Sequence, residues 1–352
     1  MWFERLVGFA ETTGDEVRAK LVLADGVLTS SVNQRQMIPG QLTTPSLAEL
    51  RANTKAIAGS LDSHNNRGPR LRQIVGDVAD LHRDPANAGA LFQAASQFNL
   101  LEMVSPAVTP EAGISAYESD STQGPACAVA CGAGTIYRAY FVDVDGQQGQ
   151  TTDRQLNCLA DLEAEVTRIV GHDQQAPLLW TPWKMVNGYA MFRLEDLNRV
   201  NRGLTDLDAA HIDHLRSLIR IGVQRNTEVT DASPDLATPG HLVSQAYCAA
   251  LPVAYNRPPP HHFTSLARLI LEAAYEATLH AGVLNAQVSG NPTVFLTLLG
   301  GGVFGNTEDW ILDAIERALA SDRFAGTDLD VVVVAYRQPN KSVSRLVERL
   351  GP

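Results

Sequence analysis

The sequence predicts an α/β protein whose mixed, mostly parallel central sheet is flanked by helices. Near the C-terminus, PTVFLTLL and LDVVVVAYR are continuous apolar runs, as in strands that are buried on both faces of a sheet. The helical segment TEDWILDAIERALA lies between them, and this order of strand, glycine-rich turn, helix and strand is typical of a parallel sheet. The chain of 352 residues is 45% hydrophobic, which is enough for a sizeable core.

The first 70 residues predict a β-rich N-terminal extension with one helix. EVRAKLVL and VLTSSV flank Asp25 and Gly26, a dipeptide that favours a tight hairpin turn. SLAELRANTKAIA, starting at Ser46, has a helical composition. We therefore divide the chain into the extension, 1–70, and an α/β domain, 71–352.

The α/β domain begins with two predicted strands and a long loop. LRQIVGDV (71–78) ends in Gly-Asp, and ALFQAAS (90–96) is a short apolar run. Residues 104–125 contain three prolines, and we expect an ordered loop, which in a compact domain is often functional. PACAVACGAGTIYRAYFV predicts a helix that starts at Pro125, with a strand at IYRAYFV as an alternative end.

Residues 143–262 are predicted to form a largely helical insertion in this domain. Apolar stripes indicate helices over 153–171 and 206–222. WTPWKMVNGYAMF (180–192) contains Asn-Gly and predicts a hairpin. Its aromatic residues are expected either to stack on a base or to pack within the hairpin: Trp180, Trp183 and Tyr189.

Two helices are expected after the insertion. FTSLARLILEAAYEATLHAG (263–282) has an amphipathic pattern, with Thr264 or Ser265 as its cap and Gly282 at its end. TEDWILDAIERALA follows the glycine-rich turn and is expected to be capped by Asn306.

Composition excludes several classes of function. The net charge of −11 argues against a general nucleic-acid binder, because phosphate neutralisation needs many Lys and Arg residues. The four cysteines form no pair of C-x-x-C units, so we expect no metal site. No run of about 20 apolar residues and no secretory signal is present, so we expect no membrane association and a cytoplasmic location.

The glycine-rich turn GGGVFGN (300–306) is the clearest candidate for a binding site. Ligands of parallel sheets lie outside the carboxyl ends of the strands, where glycines let backbone N–H groups approach a phosphate. Glu308 and Asp309 in the next helical turn already neutralise the helix end, so the loop amides would hold the anion. The alternative is a tight turn that only packs against its neighbours.

Two segments resemble the macro-domain superfamily and together cover about a third of the chain. QIVGDVADLHRDPANAGALFQAASQFN resembles the opening of a macro domain, and GGGVFGN with its helix and last strand resembles the other half. The resemblance implies a three-layer core that binds ADP-ribose or an ADP-ribosylated macromolecule, with no cofactor required. Some members, including poly(ADP-ribose) glycohydrolases, cleave ADP-ribosyl bonds.

The resemblance also implies roles for individual residues. Asp77, followed by Val78, would bind the adenine amino group, and Phe304 would pack on the distal ribose. Gln93 and Ser96 stand where the family usually has asparagines, and the family's glycine-rich stretch after them is replaced by QFNLLEM. The diphosphate would be held by the glycine-rich turn: Gly300, Gly301, Gly302, Val303, Gly305 and Asn306.

Candidate catalytic residues come from the sequence itself. Glu102 is an acid in an apolar stretch, where a raised pKa would suit proton transfer, although a partly exposed helical position is the alternative. Asp120 and Gln123 lie in the polar loop YESDSTQGPACA, which either reaches a ligand or only caps a helix. Asn99 and Gln123 would position the substrate.

Three functions follow from these residues. The first is binding of ADP-ribose or an ADP-ribosylated substrate with hydrolysis of an ADP-ribosyl linkage, with Glu102 or Asp120 as the acid or base. The second is a non-catalytic reader or sensor of ADP-ribose or a related nucleotide. The third is a thiol hydrolase that depends on Cys127, which is expected in a first helical turn where the dipole lowers a thiol pKa; a buried core cysteine is the alternative reading.

Overall fold

The computed structural model describes residues 1–57, 68–170, 180–232 and 238–350. Its helices are α1 (Trp2–Val7), α2 (Gly14–Lys20), α3 (Leu47–Ile57), α4 (Val78–Arg83), α5 (Gln123–Ala130), α6 (Gly132–Ile136), α7 (Ala160–Val170), α8 (Leu194–Thr205), α9 (Ala209–Ser217), α10 (Thr264–Ser289), α11 (Glu308–Leu319) and α12 (Lys341–Leu350). Its strands are β1 (Leu21–Ala24), β2 (Val27–Ser30), β3 (Gln36–Met37), β4 (Gln41–Thr43), β5 (Arg70–Val75), β6 (Leu91–Ala95), β7 (Asp143–Val144), β8 (Gln147–Gln148), β9 (Lys184–Val186), β10 (Tyr189–Met191), β11 (Gly222–Glu228), β12 (Leu242–Cys248), β13 (Thr293–Leu296) and β14 (Asp330–Ala335).

A seven-stranded sheet with the order β4-β11-β12-β6-β13-β14-β5 forms the centre of the fold. The five strands from β12 to β5 are parallel to one another, whereas β11 is antiparallel to both β4 and β12. The predicted mixed, mostly parallel sheet with flanking helices is therefore confirmed. The two strands predicted from continuous apolar runs, β13 and β14, lie side by side.

The long helix α10 packs directly on the sheet and corrects one predicted boundary. Gly282 does not end it: a Cβ at this position would lie 2.5 Å from Cγ2 of Val294, so the glycine lets α10 approach β13 closely. The helix runs on to Ser289 and ends at Gly290, which has a φ of 74°. Neither predicted cap is used, because the N-cap position is occupied by Phe263.

Three other local predictions are wrong. The segment IYRAYFV is not a strand, since α6 continues into a π-helical turn over Tyr137–Phe141. Most of EVRAKLVL belongs to helix α2, and only its end forms β1. Helix α11 is capped by Thr307, whose side chain accepts from the amide of Trp310, and not by Asn306.

Both predicted outer segments contribute strands to the central sheet. Residues 1–70 form the predicted hairpin β1–β2 at Asp25 and Gly26, and they also supply the edge strand β4. Residues 143–262 contain α7, α8, α9 and the predicted hairpin β9–β10, and they supply β11 and β12. The division of the chain into an extension and an insertion stays a prediction.

The N-terminal residues hold the long loop that precedes α5. The indole Nε1 of Trp2 donates to the carbonyl of Ile114, and the backbone amide of Trp2 donates to Glu118. The carboxylate of Glu11 accepts from the amides of Ile114 and Ser115. These bonds fix a loop that contains two short 3₁₀ turns and leads into the candidate site. No helix in the described part of the chain is long and apolar enough to span a membrane.

A buried histidine makes the fold sensitive to acid. His82 is fully buried, stacks on Phe92 at 3.8 Å between ring centroids, and donates from Nδ1 to the carbonyl of Val78. Burial, with smaller contributions from the charges of His241 and Arg83, lowers the pKa of His82 from 6.5 to about 4 against the opposing hydrogen bond to Val78. Between these pH values the unfolded chain binds a proton that the folded chain does not.

We therefore expect His82 alone to remove about 3 kcal/mol from the free energy of unfolding as the pH falls from 6.5 to 4. The His82→Gln variant cannot gain this proton and is expected to lose less stability over the same range. Urea unfolding at a series of pH values measures the difference. The exposed His261→Gln variant is the control, and equal slopes for His82→Gln and the parent would contradict the prediction.

Candidate functional site

A cleft of about 590 Å³ opens at the carboxyl ends of β6, β13, β14 and β5. It is lined by the start of α4, the end of β6 and the start of α5, and by the glycine-rich turn after β13. The predicted site residues in its wall are Asp77, Val78, Ser96, Glu102, Asp120, Gln123, Gly300, Gly302, Val303 and Phe304. The two segments on which the resemblance was based therefore meet in one cavity.

The glycine-rich turn is held in place by its own backbone and by Asn306. Gly300 and Gly305 have φ values of 72° and 73°, which favour glycine. The amide of Asn306 donates to the carbonyl of Gly300, and its side-chain Nδ2 donates to Leu251. Asn306 is thus buried behind the turn, where it supports the loop instead of facing the cleft.

The free donors of this turn differ in part from those expected. The amides of Gly301 and Gly305 already donate to the carbonyls of Leu298 and Gly302, so they are not available to a ligand. Among the described residues, four amides of the turn have no acceptor: Gly300, Gly302, Val303 and Phe304. These four residues line the cleft, so the turn offers an array of backbone donors to an anion.

Substitution by alanine is expected to change the free energy of unfolding very differently at two glycines of the turn. A Cβ on Gly300 would lie 2.5 Å from Cβ of Ala250 and would also meet a positive φ, whereas a Cβ on Gly302 would meet nothing within 4 Å. Gly300→Ala should lower the free energy of unfolding by about 2 kcal/mol, and Gly302→Ala should change it by less than about 0.5 kcal/mol. Urea unfolding measures both, and equal losses would show that the turn is built differently.

Asp77 and Tyr336 lie where β5 and β14 end. Oδ1 of Asp77 caps α4 by accepting from the amide of Ala79 at 2.8 Å, and Oδ2 has no partner among the described residues. Tyr336 is 55% exposed and lines the same part of the cleft, with its ring under the guanidinium of Arg337. A free carboxylate oxygen beside an exposed aromatic ring suits a base that carries an amino group.

Gln93 and Asn99 are not brought to the cleft, and neither are Gly301, Gly305 and Asn306 of the glycine-rich turn. Gln93 is 1% exposed; its Nε2 donates to Thr278, and its Oε1 accepts from the amide of Thr297. Asn99 is fully buried and bonds to Gln155 and to the amide of Leu101. Their amide groups are satisfied inside the protein, so neither can position a substrate in this conformation. Ser96 does line the cleft, and its hydroxyl donates to the carbonyl of Gln97.

Glu102 is the buried acid of the cleft. It is 5% exposed and lies in an irregular segment after β6, so the alternative of a partly exposed helical residue is wrong. Its Oε1 has no hydrogen-bond partner among the described residues. Burial raises the pKa of Glu102 well above its usual range, and the charge of Asp120 raises it further against the opposing charge of Arg138. A carboxyl group of this kind holds its proton to a higher pH than an exposed one does, and it can transfer that proton.

The start of α5 brings Gln123 and Asp120 to the same wall. Gln123 is held as if it were part of a strand, because its Oε1 accepts from the amide of Ala95 and its Nε2 donates to the carbonyl of Gln93. Asp120 is half-buried and accepts from the amide and the hydroxyl of Thr122. Thr122 occupies the N-cap position of α5 without a side-chain bond to a helix amide, so the capping interpretation is wrong, whereas Asp120 and Gln123 do line the cleft.

Cys127 does not have the properties of a nucleophile. It is fully buried, lies in the second turn of α5 and is not part of the cleft wall. Burial raises the pKa of its thiol well above the usual range, the opposite of the expected effect of the helix dipole. The expected activation of Cys127 is therefore wrong, and the residue is a buried core cysteine.

An aromatic cluster forms the other wall of the cleft. The rings of Tyr189, Tyr255 and Phe304 lie 5.2 to 5.7 Å apart, and all three line the cavity. Trp180 and Trp183 instead pack in the core, so only Tyr189 of the predicted aromatic hairpin reaches the site. Tyr255 and Tyr336 were missed; Tyr336 lies at the end of a predicted strand, and the rule that ligands lie at strand ends would have indicated it.

No family model matches the chain, and no curated protein does. Among solved structures it is similar to poly(ADP-ribose) glycohydrolase from Deinococcus radiodurans in complex with ADP-ribose, with 13% identity over 88% of this chain and 94% of that chain and a TM-score of 0.42. It is also similar to the enzyme from Thermomonospora curvata, with 13% identity, coverage of 99% and 98%, and a TM-score of 0.42. At this level of similarity the matched structures do not establish what this chain binds.

Proposed function

We propose that the protein binds ADP-ribose as part of an ADP-ribosylated substrate and hydrolyses the ADP-ribosyl linkage. The observation that carries this proposal is one continuous cleft that joins free backbone amides at the end of β13 to Asp77 on one side and to Glu102 on the other. The cleft thus has a base-binding carboxylate, an anion-binding turn and a buried acid in sequence. This matches the order of adenine, diphosphate and distal ribose in ADP-ribose.

The dimensions of the sheet support this arrangement. Strands β5, β14, β13 and β6 are consecutive neighbours, so the ends of β5 and β6 are three spacings apart, about 14 Å at about 4.8 Å each. The adenine would lie at the β5 end, with its amino group donating to Oδ2 of Asp77. The diphosphate would accept from the amides of the glycine-rich turn, and the distal ribose would lie against Phe304 beside Glu102.

Cleavage at C1″, the anomeric carbon of that ribose, needs one donor that protonates the leaving atom. Protonated Glu102 would donate to the leaving atom while the bond between this atom and C1″ breaks and its electron pair stays with the leaving group. A water oxygen then bonds to C1″, and the proton that it loses returns to the Glu102 carboxylate. The burial that keeps Glu102 protonated suits it to this role.

Isothermal titration calorimetry with ADP-ribose and with ADP tests the binding step. We expect ADP-ribose to bind at least about tenfold more tightly, because only ADP-ribose fills the cleft as far as Glu102. The absence of binding at millimolar ADP-ribose would reject the proposal. Release of ADP-ribose from ADP-ribosylated protein, followed by chromatography, tests the hydrolysis. Tight binding without release would identify a non-catalytic reader instead.

A further inference from the structure

The charge of the cleft wall points to the chemistry of the substrate's other half. The acidic side chains in the described wall are Asp77, Glu102 and Asp120, and this wall contains no Lys, Arg or His. The backbone amides of the glycine-rich turn balance only the diphosphate. The remaining acids therefore face whatever group is attached to the distal ribose.

Two of these acids act at the same end of the cleft. Glu102 lies against the first turn of α5, since a Cβ on Gly124 would be 2.4 Å from its Oε2, and Asp120 accepts from Thr122 just before that turn. Both acids line the cleft. Oε1 of Glu102 is buried and lacks a hydrogen-bond donor among the described residues. A donor supplied by the substrate would satisfy this oxygen.

Arg138, a cation of the protein near these acids, does not donate to Oε1 of Glu102. Arg138 is 1% exposed, and its guanidinium stacks on the ring of Tyr247 at 3.6 Å. It donates to the carbonyl of Leu100 and to Thr135, and it does not line the cleft. The acidic end of the cleft thus remains open to a cation from outside.

The aromatic wall suits a flat cation. Tyr189, Tyr255 and Phe304 line the same cleft as the acids, and the hydroxyl of Tyr189 donates to the carbonyl of Met103, next to Glu102. Aromatic faces attract guanidinium groups through their quadrupoles. A further ADP-ribose unit would instead bring another diphosphate towards two carboxyl groups, and the net charge of −11 would oppose its approach.

We propose that the group released from ADP-ribose is the guanidinium of an arginine side chain, held between the Glu102–Asp120 acids and the aromatic wall. This inference rests on the proposed function and names its substrate class. The bond between C1″ and the guanidinium nitrogen breaks with its electron pair on nitrogen. Water supplies the hydroxyl to C1″ and one proton to that nitrogen, so ADP-ribose and arginine are formed without net proton change.

The first test compares substrates with different linkages. The parent protein is incubated with arginine-, serine- and glutamate-linked ADP-ribosyl protein and with poly(ADP-ribose), and kcat/KM is measured from the release of ADP-ribose. We expect arginine-linked substrate to be preferred by at least about tenfold, the factor that corresponds to one favourable charge pair in a partly buried site. Preference for a neutral linkage or for the polymer would overturn the inference.

Asp120→Asn supplies the matched charge test. Asn keeps an oxygen that can accept from the amide of Thr122 but removes the charge, so the ratio of arginine-linked to serine-linked kcat/KM should fall about tenfold. Asp153→Asn makes the same change in net charge at an exposed position outside the cleft and should leave this ratio unchanged. An unchanged ratio in a folded Asp120→Asn variant would overturn the inference.

Binding to the parent protein gives a second measurement that needs no variant. Calorimetry with ADP-ribose is repeated in the presence of arginine amide or of citrulline amide, which has the same shape without the charge. Arginine amide should tighten ADP-ribose binding about threefold, and citrulline amide should not. Equal effects would overturn the inference, whereas failure of ADP-ribose to bind at all would reject the proposed function itself.

Discussion

Glu102→Gln is expected to lower the rate of ADP-ribose release by at least about 100-fold while the affinity for ADP-ribose stays within about twofold. The rate falls because a positioned proton donor contributes roughly 10²- to 10⁴-fold to such reactions and glutamine has no proton to transfer. The affinity stays because burial favours the neutral form of Glu102, and glutamine has nearly the same shape as that form. Single-turnover kinetics and calorimetry on the same preparation measure the two effects.

The same variant should become more stable relative to the parent as the pH rises. The folded pKa of Glu102 is raised above its unfolded value, so between the two values the folded chain holds a proton that the unfolded chain has lost. The parent therefore loses free energy of unfolding as the pH rises above the unfolded pKa, and Glu102→Gln does not suffer this loss. Glu348→Gln, at an exposed acid of α12, is the matched control.

Two outcomes would contradict the role given to Glu102. Normal turnover by Glu102→Gln would show that another group transfers the proton. Loss of turnover together with loss of ADP-ribose binding and of thermal stability would show that Glu102 supports the fold and not the chemistry. Unchanged turnover by Glu348→Gln is required for either conclusion.

Val303→Pro is expected to weaken ADP-ribose binding by about 10- to 100-fold without lowering stability. Val303 is the second residue of the four-residue turn that the bond from the amide of Gly305 to the carbonyl of Gly302 closes, and proline is favoured at this position. The substitution removes one free backbone donor of the cleft. A hydrogen bond to a charged group is worth about 1.5–3 kcal/mol, which gives the expected range.

Val303→Ala separates the backbone from the side chain. The valine side chain is 56% exposed, so its loss should change the affinity by less than about twofold while the amide is kept. Calorimetry measures the affinity, and thermal melting checks that both variants fold. If Val303→Ala and Val303→Pro bind ADP-ribose equally well, the amide of Val303 does not hold the diphosphate.

The sequence predicted the central strands well because strands buried on both faces carry long apolar runs. It failed at helix ends that depend on tertiary contacts. A glycine such as Gly282 is typical of a helix end, but here the absence of a side chain allows the close contact with Val294. Strands β11 and β12 were not assigned, since polar residues such as Gln224 and Gln245 interrupt their patterns. The Nε2 groups of these two residues find their acceptors only inside the folded protein.

The candidate site was predictable where one residue type has one physical use. Glycines at the end of a buried strand indicated a backbone binding turn, and an acid among apolar residues indicated a raised pKa. The sequence could not show which amides of the turn donate to the turn's own carbonyls. It also could not show that the side chain of Gln93 donates to Thr278. For Cys127 the sequence left a reactive thiol and a buried core cysteine open, because the desolvation of its thiol depends on neighbours that are distant along the chain.

The bond between Gln123 and the amide of Ala95 has a practical consequence. This amide lies in the floor of the cleft, and it is protected from solvent exchange only while the start of α5 stays in place. Its deuterium uptake is therefore a built-in reporter of local opening beside Glu102. A single backbone resonance of Ala95 would follow the closing of this wall around any bound molecule, with no added label and no turnover.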